Sequence, residues 1–155
     1  MSIRLYLEVP LSPDAIINLP RDQAHYLSGV MRLKEGEVIR VFDGMSGEYA
    51  ATILSANKRG GQLQIKEQTA PHRDPPDLWL LFAPIKKART DFIVEKATEM
   101  GAARICPVQT DFTNAERIRR DRLQAHAVEA AEQCGGTFVP EVTDIAKLGS
   151  VLDGW

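Results

Sequence analysis

The protein has 155 residues, 44% of them hydrophobic, which is enough to bury the core of one ordinary domain or two small ones. Its net charge of −2 gives no reason by itself to expect a nucleic-acid partner. No apolar run approaches the roughly 20 residues that a membrane span needs, and a secretion signal is not recognisable, so we expect a cytoplasmic protein. Cys106 and Cys134 lie in unrelated contexts, which argues against a disulfide framework or a CxxC motif.

The first 70 residues have the pattern of a small β domain. Leu5, Leu7 and Val9 alternate with polar residues, which predicts a half-buried strand. A short helix is predicted in RDQAHYLSGVMR, and three further strands are predicted in EVIRVF, EYAATILSAN and QLQIKEQ. Because none of these strands can bury a face alone, we expect them to close with the first strand into a small antiparallel barrel over residues 1–70.

Residues 71–77, PHRDPPD, contain three prolines and no apolar side chain, which predicts a linker. The next segment, LWLLFAPI, is an uninterrupted apolar run, typical of a strand covered on both faces. ARICPV predicts a second buried strand, with Cys106 as an inert thiol, and TFVPEV predicts a third. Since helical patterns separate these strands, the β-α-β-α-β order predicts a parallel sheet over residues 78–155.

The helices between these strands are predicted from caps and apolar spacing. Thr90 is expected to cap the first helix and Gly101 to end it. The predicted packing face of this helix consists of Ile93, Ala97 and Met100. The second helix is expected to run from about Arg117 to two glycines, with an apolar stripe of Leu123, Ala127, Ala130, Ala131 and Cys134.

Three cations, Lys86, Lys87 and Arg89, follow the first strand of this sheet, at the carboxyl end where open α/β sheets bind ligands. Two interpretations stay open: a contact with a phosphate backbone, and a solvated loop. The same pair applies to ERIRRDR, whose cations are Arg117, Arg119, Arg120 and Arg122. Neither GxGxxG nor GxxxxGKS/T occurs, which argues against a dinucleotide or Walker-type site.

Histidines and carboxylates show no recognisable catalytic or metal-binding pattern. His25, His72 and His126 lie in different predicted elements, so we expect no metal site, and His126 is expected to be structural or exposed. Glu95 and Glu99 are one helical turn apart, which a solvated helix face explains. No catalytic residue is assigned.

Three segments together resemble a known family: HYLSGVMRLKEGEVIRVFDG, LLFAPIKKARTDFIVEKATEMGAARICPVQTDFT and AHAVEAAEQCGGTFVPEV. They are similar to the RsmE family of ribosomal RNA methyltransferases, which modify N3 of a uridine in small-subunit ribosomal RNA. The resemblance implies an α+β protein of two domains, an RNA-binding PUA-like barrel followed by a SPOUT-type α/β domain. It also implies S-adenosylmethionine as cofactor, small-subunit ribosomal RNA as partner and a homodimer for the complete protein.

The resemblance also implies roles for individual residues. Arg32, in the VMR step, is a candidate RNA contact of the barrel domain. Glu129 and Gln133, in EAAEQ, are candidates to support the site. The candidates for RNA binding in the second domain are Lys86, Lys87, Arg89 and Lys96.

In this family the second domain continues for about as much chain again, through a glycine-rich loop that contributes to the knot. We therefore expect residues 78–155 to be the first half of a SPOUT domain, truncated before the knot, with no cofactor-binding residues within this chain. Three functions stay open: a ribosomal RNA methyltransferase, an RNA-binding module without catalysis, and a structural α/β fragment that associates with itself.

Overall fold

The computed structural model describes residues 2–113 and 118–155. The chain divides into two compact units, Met1–Arg73 and Asp74–Trp155. The division falls within residues 71–77, where the prolines predict a linker.

The first unit contains a five-stranded sheet in the order β1-β3-β4-β5-β2. Its neighbours are antiparallel except β1 and β3, which are parallel, so the expectation of a wholly antiparallel barrel is wrong for this pair. A strand and a helix lie between β1 and β3 in the chain, and a crossover of that length permits parallel pairing. The strands are β1 (Arg4–Tyr6), β2 (Ile16–Leu19), β3 (Val38–Phe42), β4 (Glu48–Asn57) and β5 (Gly60–Ala70).

The predicted helix of this unit has two parts, α1 (Arg21–His25) and a π-helical turn (Tyr26–Val30). Ala24 and Leu27 are fully buried, so both parts pack on the core formed by the inner face of the sheet. The strand β2, which sequence analysis missed, has only four residues, too few for a clear alternation of polar and apolar side chains.

The second unit has the predicted β-α-β-α-β order. Strands β6, β7 and β8 are parallel neighbours, and β9 also pairs with β7. Sequence analysis missed β9 and α4, which have two and six residues. The elements are β6 (Trp79–Phe82), α2 (Lys87–Glu99), β7 (Arg104–Gln109), α3 (Arg120–Cys134), β8 (Glu141–Val142), β9 (Ala146–Lys147) and α4 (Leu148–Asp153).

The two strands predicted to be buried, β6 and β7, differ in their exposure to solvent. In β7, Ile105, Cys106 and Val108 are buried as expected. In β6 the prediction of cover on both faces is wrong, because Trp79 is 36% exposed and the next three residues are only partly buried. Its position at the end of the β6-β7-β8 order explains this exposure.

Helix α2 begins and packs differently from the prediction. It starts at Lys87, and Thr90 lies inside its first turn, where its hydroxyl contacts the backbone N and O of Ile85 at 3.0 and 3.1 Å. The buried residues are Thr90, Val94 and Thr98, whereas Met100 is 85% exposed, so the predicted face was wrong for Met100. The packed face is centred one position after the predicted Ile93 and Ala97, on Val94 and Thr98. Gly101, with φ of +87°, follows the helix as predicted.

Helix α3 buries the predicted stripe of Leu123, Ala127, Ala130 and Ala131. Cys134, the last residue expected on this stripe, is exposed instead, since it ends the helix beside Gly135. The helix ends at the two glycines as predicted, and Gly135 takes the left-handed conformation with φ of +81°. Arg117, the expected start, lies outside the described residues.

Candidate nucleic-acid interface

Helices α2 and α3 enclose a cleft at their N-terminal ends, which follow the carboxyl ends of β6 and β7. Open α/β sheets bind ligands at this edge. The cleft has a volume of about 290 Å3. Its lining residues are Ile85, Lys87, Thr90, Asp91, Ile118, Arg119, Arg122 and Leu123.

The lining of this α2–α3 cleft is cationic. The lining contains three cations, Lys87, Arg119 and Arg122, and one carboxylate, Asp91. The lining residues therefore have an excess of two positive charges. The N-cap residues of α2 and α3, Lys86 and Arg119, make no side-chain hydrogen bond to their helices. The first backbone N–H groups of a helix add positive potential, so the cleft favours an anion.

A network of ionisable side chains joins the two helices beside this cleft. Arg122 Nη2 donates to Asp91 Oδ2 over 2.8 Å. His126 lies between two carboxylates of α2, with Nε2 at 3.5 Å from Asp91 Oδ2 and Nδ1 at 3.3 Å from Glu95 Oε1. Glu95 therefore faces α3, and only Glu99 of the Glu95–Glu99 pair has the solvated setting that sequence analysis expected. His126 is half-buried and serves the packing of the two helices.

Of the four cations of the second unit assigned to RNA, three lie together at the start of α2. Lys86, Lys87 and Arg89 are exposed and form no ion pair with another described residue. Only Lys87 lines the α2–α3 cleft. These three side chains are available to a phosphate backbone.

Lys96 lies farther along α2 and has partners within the helix. Its Nζ is 2.9 Å from Glu99 Oε2 and 5.5 Å from the centre of the Phe92 ring. The hydrogen bond to Glu99 raises the pKa of Lys96, and the charges of Glu99 and Glu95 add to the rise. The assignment of Lys96 to RNA stays a prediction.

Glu129 and Gln133, the candidates to support the site, are exposed and one turn apart on α3, where Gln133 Nε2 donates to Glu129 Oε1 over 3.4 Å. Glu129 lines a shallow depression next to the cleft together with Arg119, Asp121, Arg122, Ala125 and His126. Gln133 is not among the residues that line it. The structure thus brings Glu129, but not Gln133, beside the network around His126.

Arg32 of the first unit has an unusual backbone. Its φ is +56°, in the left-handed region that residues with a side chain rarely adopt. The π-helical turn ends here, where Leu33 N donates to Leu27 O over 2.8 Å across Arg32. The side chain is exposed and forms no ion pair with another described residue.

The place of Arg119 and Arg122 in the lining of the cleft was not predicted from the sequence. Both belong to ERIRRDR, where the acidic residues among the arginines favoured an exposed helical turn over a nucleic-acid contact. Arg119 is the N-cap residue of α3 and Arg122 lies in its first turn, next to the buried Leu123, and both side chains line the cleft between α3 and α2.

Within residues 2–113 and 118–155, no group of three or more His, Cys, Asp or Glu side chains is placed to hold a metal ion. In the same part of the chain, every helix is too short or too polar to cross a bilayer.

Two family models match the two units. That of an RNA methyltransferase PUA domain matches residues 19–66, and that of an RNA methyltransferase domain matches residues 72–155, which is more than half of the chain. The chain therefore belongs to the RNA methyltransferase family, and its fold is a PUA-like domain followed by a parallel α/β domain of the SPOUT type. Within this class, the chain belongs to the RsmE family.

Relatives of known name support this membership. A ribosomal RNA small subunit methyltransferase E of Rickettsia conorii is 30% identical over 131 residues, which are 84% of this chain and 54% of the relative. One of Synechocystis is 28% identical and covers 99% of this chain and 51% of the relative. The chain spans about half the length of these curated relatives.

A solved structure agrees with the fold. The crystal structure of a ribosomal RNA small subunit methyltransferase E from Neisseria gonorrhoeae, bound to S-adenosyl methionine, superposes with a TM-score of 0.91 at 28% identity. The match covers 100% of this chain and 66% of that one.

Proposed function

We propose that this protein takes part in the S-adenosylmethionine-dependent methylation of N3 of a uridine in small-subunit ribosomal RNA. The observation that carries the proposal is the match of the RNA methyltransferase model to residues 72–155, the unit whose sheet has a cationic cleft at its carboxyl edge. The names of the relatives support ribosomal RNA of the small subunit as substrate.

S-Adenosylmethionine is the proposed methyl donor, since the similar Neisseria gonorrhoeae enzyme binds it. The α2–α3 cleft does not fit this molecule. S-Adenosylmethionine is a net cation, because its sulfonium and ammonium groups outnumber its single carboxylate, whereas the lining of the cleft already has more cations than carboxylates. The residues of the cleft are better suited to phosphate.

The proposed role of the described residues is to bind RNA and to orient the uridine. Orientation alone lowers the barrier of a transfer step, because the reacting atoms no longer have to find each other in solution. A uridine that loses its N3 proton develops negative charge, and a cation placed nearby stabilises that charge. Lys86 and Arg89, exposed and free of ion pairs with other described residues, are the proposed sources of such a cation.

The proposal can be tested in the host organism. Deletion of the gene should remove 3-methyluridine from small-subunit ribosomal RNA, as measured by mass spectrometry of the digested nucleosides. A plasmid copy of the gene should restore it, and a copy with Arg89→Ala should restore less than one with the control substitution Lys58→Ala in the β4–β5 turn. An unchanged content of 3-methyluridine after deletion would show that the proposed function is wrong.

A second function, RNA binding without catalysis, is supported by the exposed cations of each unit, Arg32 in the first and Lys87 in the second. The same complementation experiment separates the two functions. If a plasmid that encodes these 155 residues yields a protein that binds RNA but does not restore 3-methyluridine, this chain is the binding module.

We further propose a cytoplasmic homodimer. Large apolar side chains of the second unit are exposed, among them Phe92 at 56% and Phe112 at 92%, and exposed apolar groups of this kind often mark an interface. Sedimentation velocity should show a species of twice the mass of the chain. A monomer at every concentration would contradict the dimer.

A further inference from the structure

We propose that the α2–α3 cleft binds a backbone phosphate of RNA through Lys87, Arg119 and Arg122. This inference rests on the proposed function, because it assumes that the protein binds RNA, and it specifies where the sugar–phosphate chain crosses the second unit. The sequence resemblance assigned Lys87 to RNA but neither of the two arginines.

Arg122 is held in place for such a contact. Its Nη2 is bonded to Asp91 Oδ2 at 2.8 Å, and its side chain is still 38% exposed. A guanidinium has five N–H donors in a rigid plane, so one bond to a carboxylate leaves others for a second anion. Nε of Arg122 is buried and has no hydrogen-bond partner among the described residues. Asp91 thus orients the guanidinium without using all of its donors.

Lys87 and Arg119 are cations at the edge of the cleft that no buried ion pair among the described residues holds in place. Lys87 forms no ion pair with another described residue. Arg119 pairs with Asp121 at 2.9 Å, but the two side chains are 75% and 71% exposed, and water competes strongly with ion pairs of this kind. A phosphate can therefore recruit Arg119 at little cost.

The charge and shape of the cleft favour a phosphodiester of RNA. Its three cations outnumber the two nearby carboxylates, Asp91 and the Asp121 that pairs with Arg119, so the binding of a singly charged phosphodiester is electrostatically favourable. The cleft lies at the N-terminus of α2, whose first turn has no acidic residue, so its backbone N–H groups add to the attraction. It is also open to solvent on one side, since Arg119 is exposed, and a continuous nucleic-acid strand needs such an opening.

The test uses the complete chain and fluorescence anisotropy of a labelled polyuridine oligonucleotide in a series of KCl concentrations. The test variant carries Lys87→Gln and Arg119→Gln, and Arg122 is kept because its ion pair joins the helices. The matched control carries Lys58→Gln and Arg59→Gln in the turn between β4 and β5, which removes the same two charges from exposed positions. Circular dichroism checks that both variants are folded.

For the cleft variant we expect about tenfold weaker binding at low salt and a log–log salt slope that is smaller by about 0.7, the value for one phosphate contact on a single strand. The control should keep the slope of the unchanged protein. An equal loss in both variants would overturn the cleft as a site while RNA binding itself stands. No binding of polyuridine by the unchanged protein would overturn the proposed RNA function together with the cleft.

A further arm separates RNA from free phosphate. Inorganic phosphate is added at constant ionic strength, and the displacement of polyuridine is measured. We expect little displacement at phosphate concentrations far above that of the protein, because a strand gains from contacts outside the cleft. Complete displacement at low phosphate would show a site for the free anion and overturn the proposal.

Discussion

Arg122 of α3 donates a hydrogen bond to Asp91 of α2 over 2.8 Å, and the two residues are separated by 31 positions in the chain. The pair joins the helices at the ends that enclose the α2–α3 cleft. Asp91 therefore has two opposed effects. It stabilises the packing of α2 on α3, and it reduces the positive charge that an RNA phosphate meets.

The substitution Asp91→Asn should separate these effects. The free energy of unfolding should fall by about 1 kcal/mol, because a partly buried, charge-assisted hydrogen bond is replaced by a neutral one. Polyuridine should bind more tightly, because the cleft gains one unit of net positive charge. Urea unfolding and fluorescence anisotropy measure the two changes.

Asp121→Asn is the control for the stability measurement, because Asp121 also pairs with an arginine but is 71% exposed. It should leave the urea midpoint unchanged. If Asp91→Asn weakened RNA binding, the orientation of Arg122 by Asp91 would matter more for binding than the positive charge that Asp91 cancels.

A second prediction concerns the start of α2. The hydroxyl of Thr90 accepts from Ile85 N and donates to Ile85 O, and Thr90 is buried. Thr90→Val should lower the free energy of unfolding by about 1 kcal/mol, because it leaves the partly buried backbone N–H and C=O of Ile85 without their partner. Thr98→Val is the matched control, since Thr98 is also buried on α2 but bonds only to Val94 O within the helix.

Thermal unfolding of the two valine variants should show a clearly lower midpoint for Thr90→Val. Because Ile85 and Lys87 line the cleft, Thr90→Val should also weaken polyuridine binding, whereas Thr98→Val should not. Equal midpoints would mean that the hydroxyl of Thr90 does not hold the segment before α2.

The elements that sequence analysis predicted well have strong local patterns. The run ARICPV forms β7, and the alanine-rich stripe of α3 is buried, because apolar periodicity records which side chains must leave water. The failures have weak local signals. The missed strands β2 and β9 have four and two residues, and the partner of each is distant in the chain, so their pairing is decided by tertiary contacts.

The residues of the candidate site that follow a strong local pattern could be predicted, and those that depend on distant contacts could not. Lys86, Lys87 and Arg89 follow a predicted strand, so the rule for the carboxyl edge of a parallel sheet places them. The contribution of Arg122 depends on Asp91, and a contact between residues 31 positions apart leaves no trace in either local sequence. The left-handed backbone of Arg32 was equally hidden, because glycine usually marks that conformation.

A third prediction concerns acid sensitivity of the first unit. Burial raises the pKa of Glu48, but hydrogen bonds from Thr69 and Arg4 and the charges of Arg4 and Arg40 outweigh it, so the pKa lies below its ordinary value of 4.5. The stabilisation by Glu48 is therefore fully present above pH 4.5 and is lost as the pH falls through the lower pKa of the folded state.

Urea unfolding between neutral pH and about pH 3 should show this loss. In Glu48→Gln, the plot of the free energy of unfolding against pH should be flatter. At neutral pH the glutamine variant should be less stable by about 2 kcal/mol, because Arg4 loses a buried charged partner at 2.6 Å. Asp43, whose pKa is also lowered by hydrogen bonds that outweigh its burial, keeps some acid dependence in the variant. A curve with the same slope in both proteins would contradict the role of Glu48.

The last prediction separates structure from function at Arg32. Its φ of +56° costs about 1 kcal/mol for a residue with a side chain, and glycine adopts this conformation without that cost. Arg32→Gly should therefore raise the stability of the first unit by about 0.5 to 1 kcal/mol in urea unfolding. If Arg32 contacts RNA, the same variant should bind polyuridine more weakly, with a salt slope smaller by about 0.7.

Asp14→Gly provides the comparison, because Asp14 has a similar φ of +66° in the same unit. It should gain somewhat less stability, since aspartate tolerates this conformation better than arginine does, and it should not weaken RNA binding. Arg32→Lys keeps both the charge and the backbone cost, so it should retain most of the affinity and gain no stability. Binding of RNA by the Arg32 side chain would account for an arginine at a position where glycine gives the more stable fold. Unchanged RNA binding by Arg32→Gly would remove that reason and leave the Arg32 conformation unexplained.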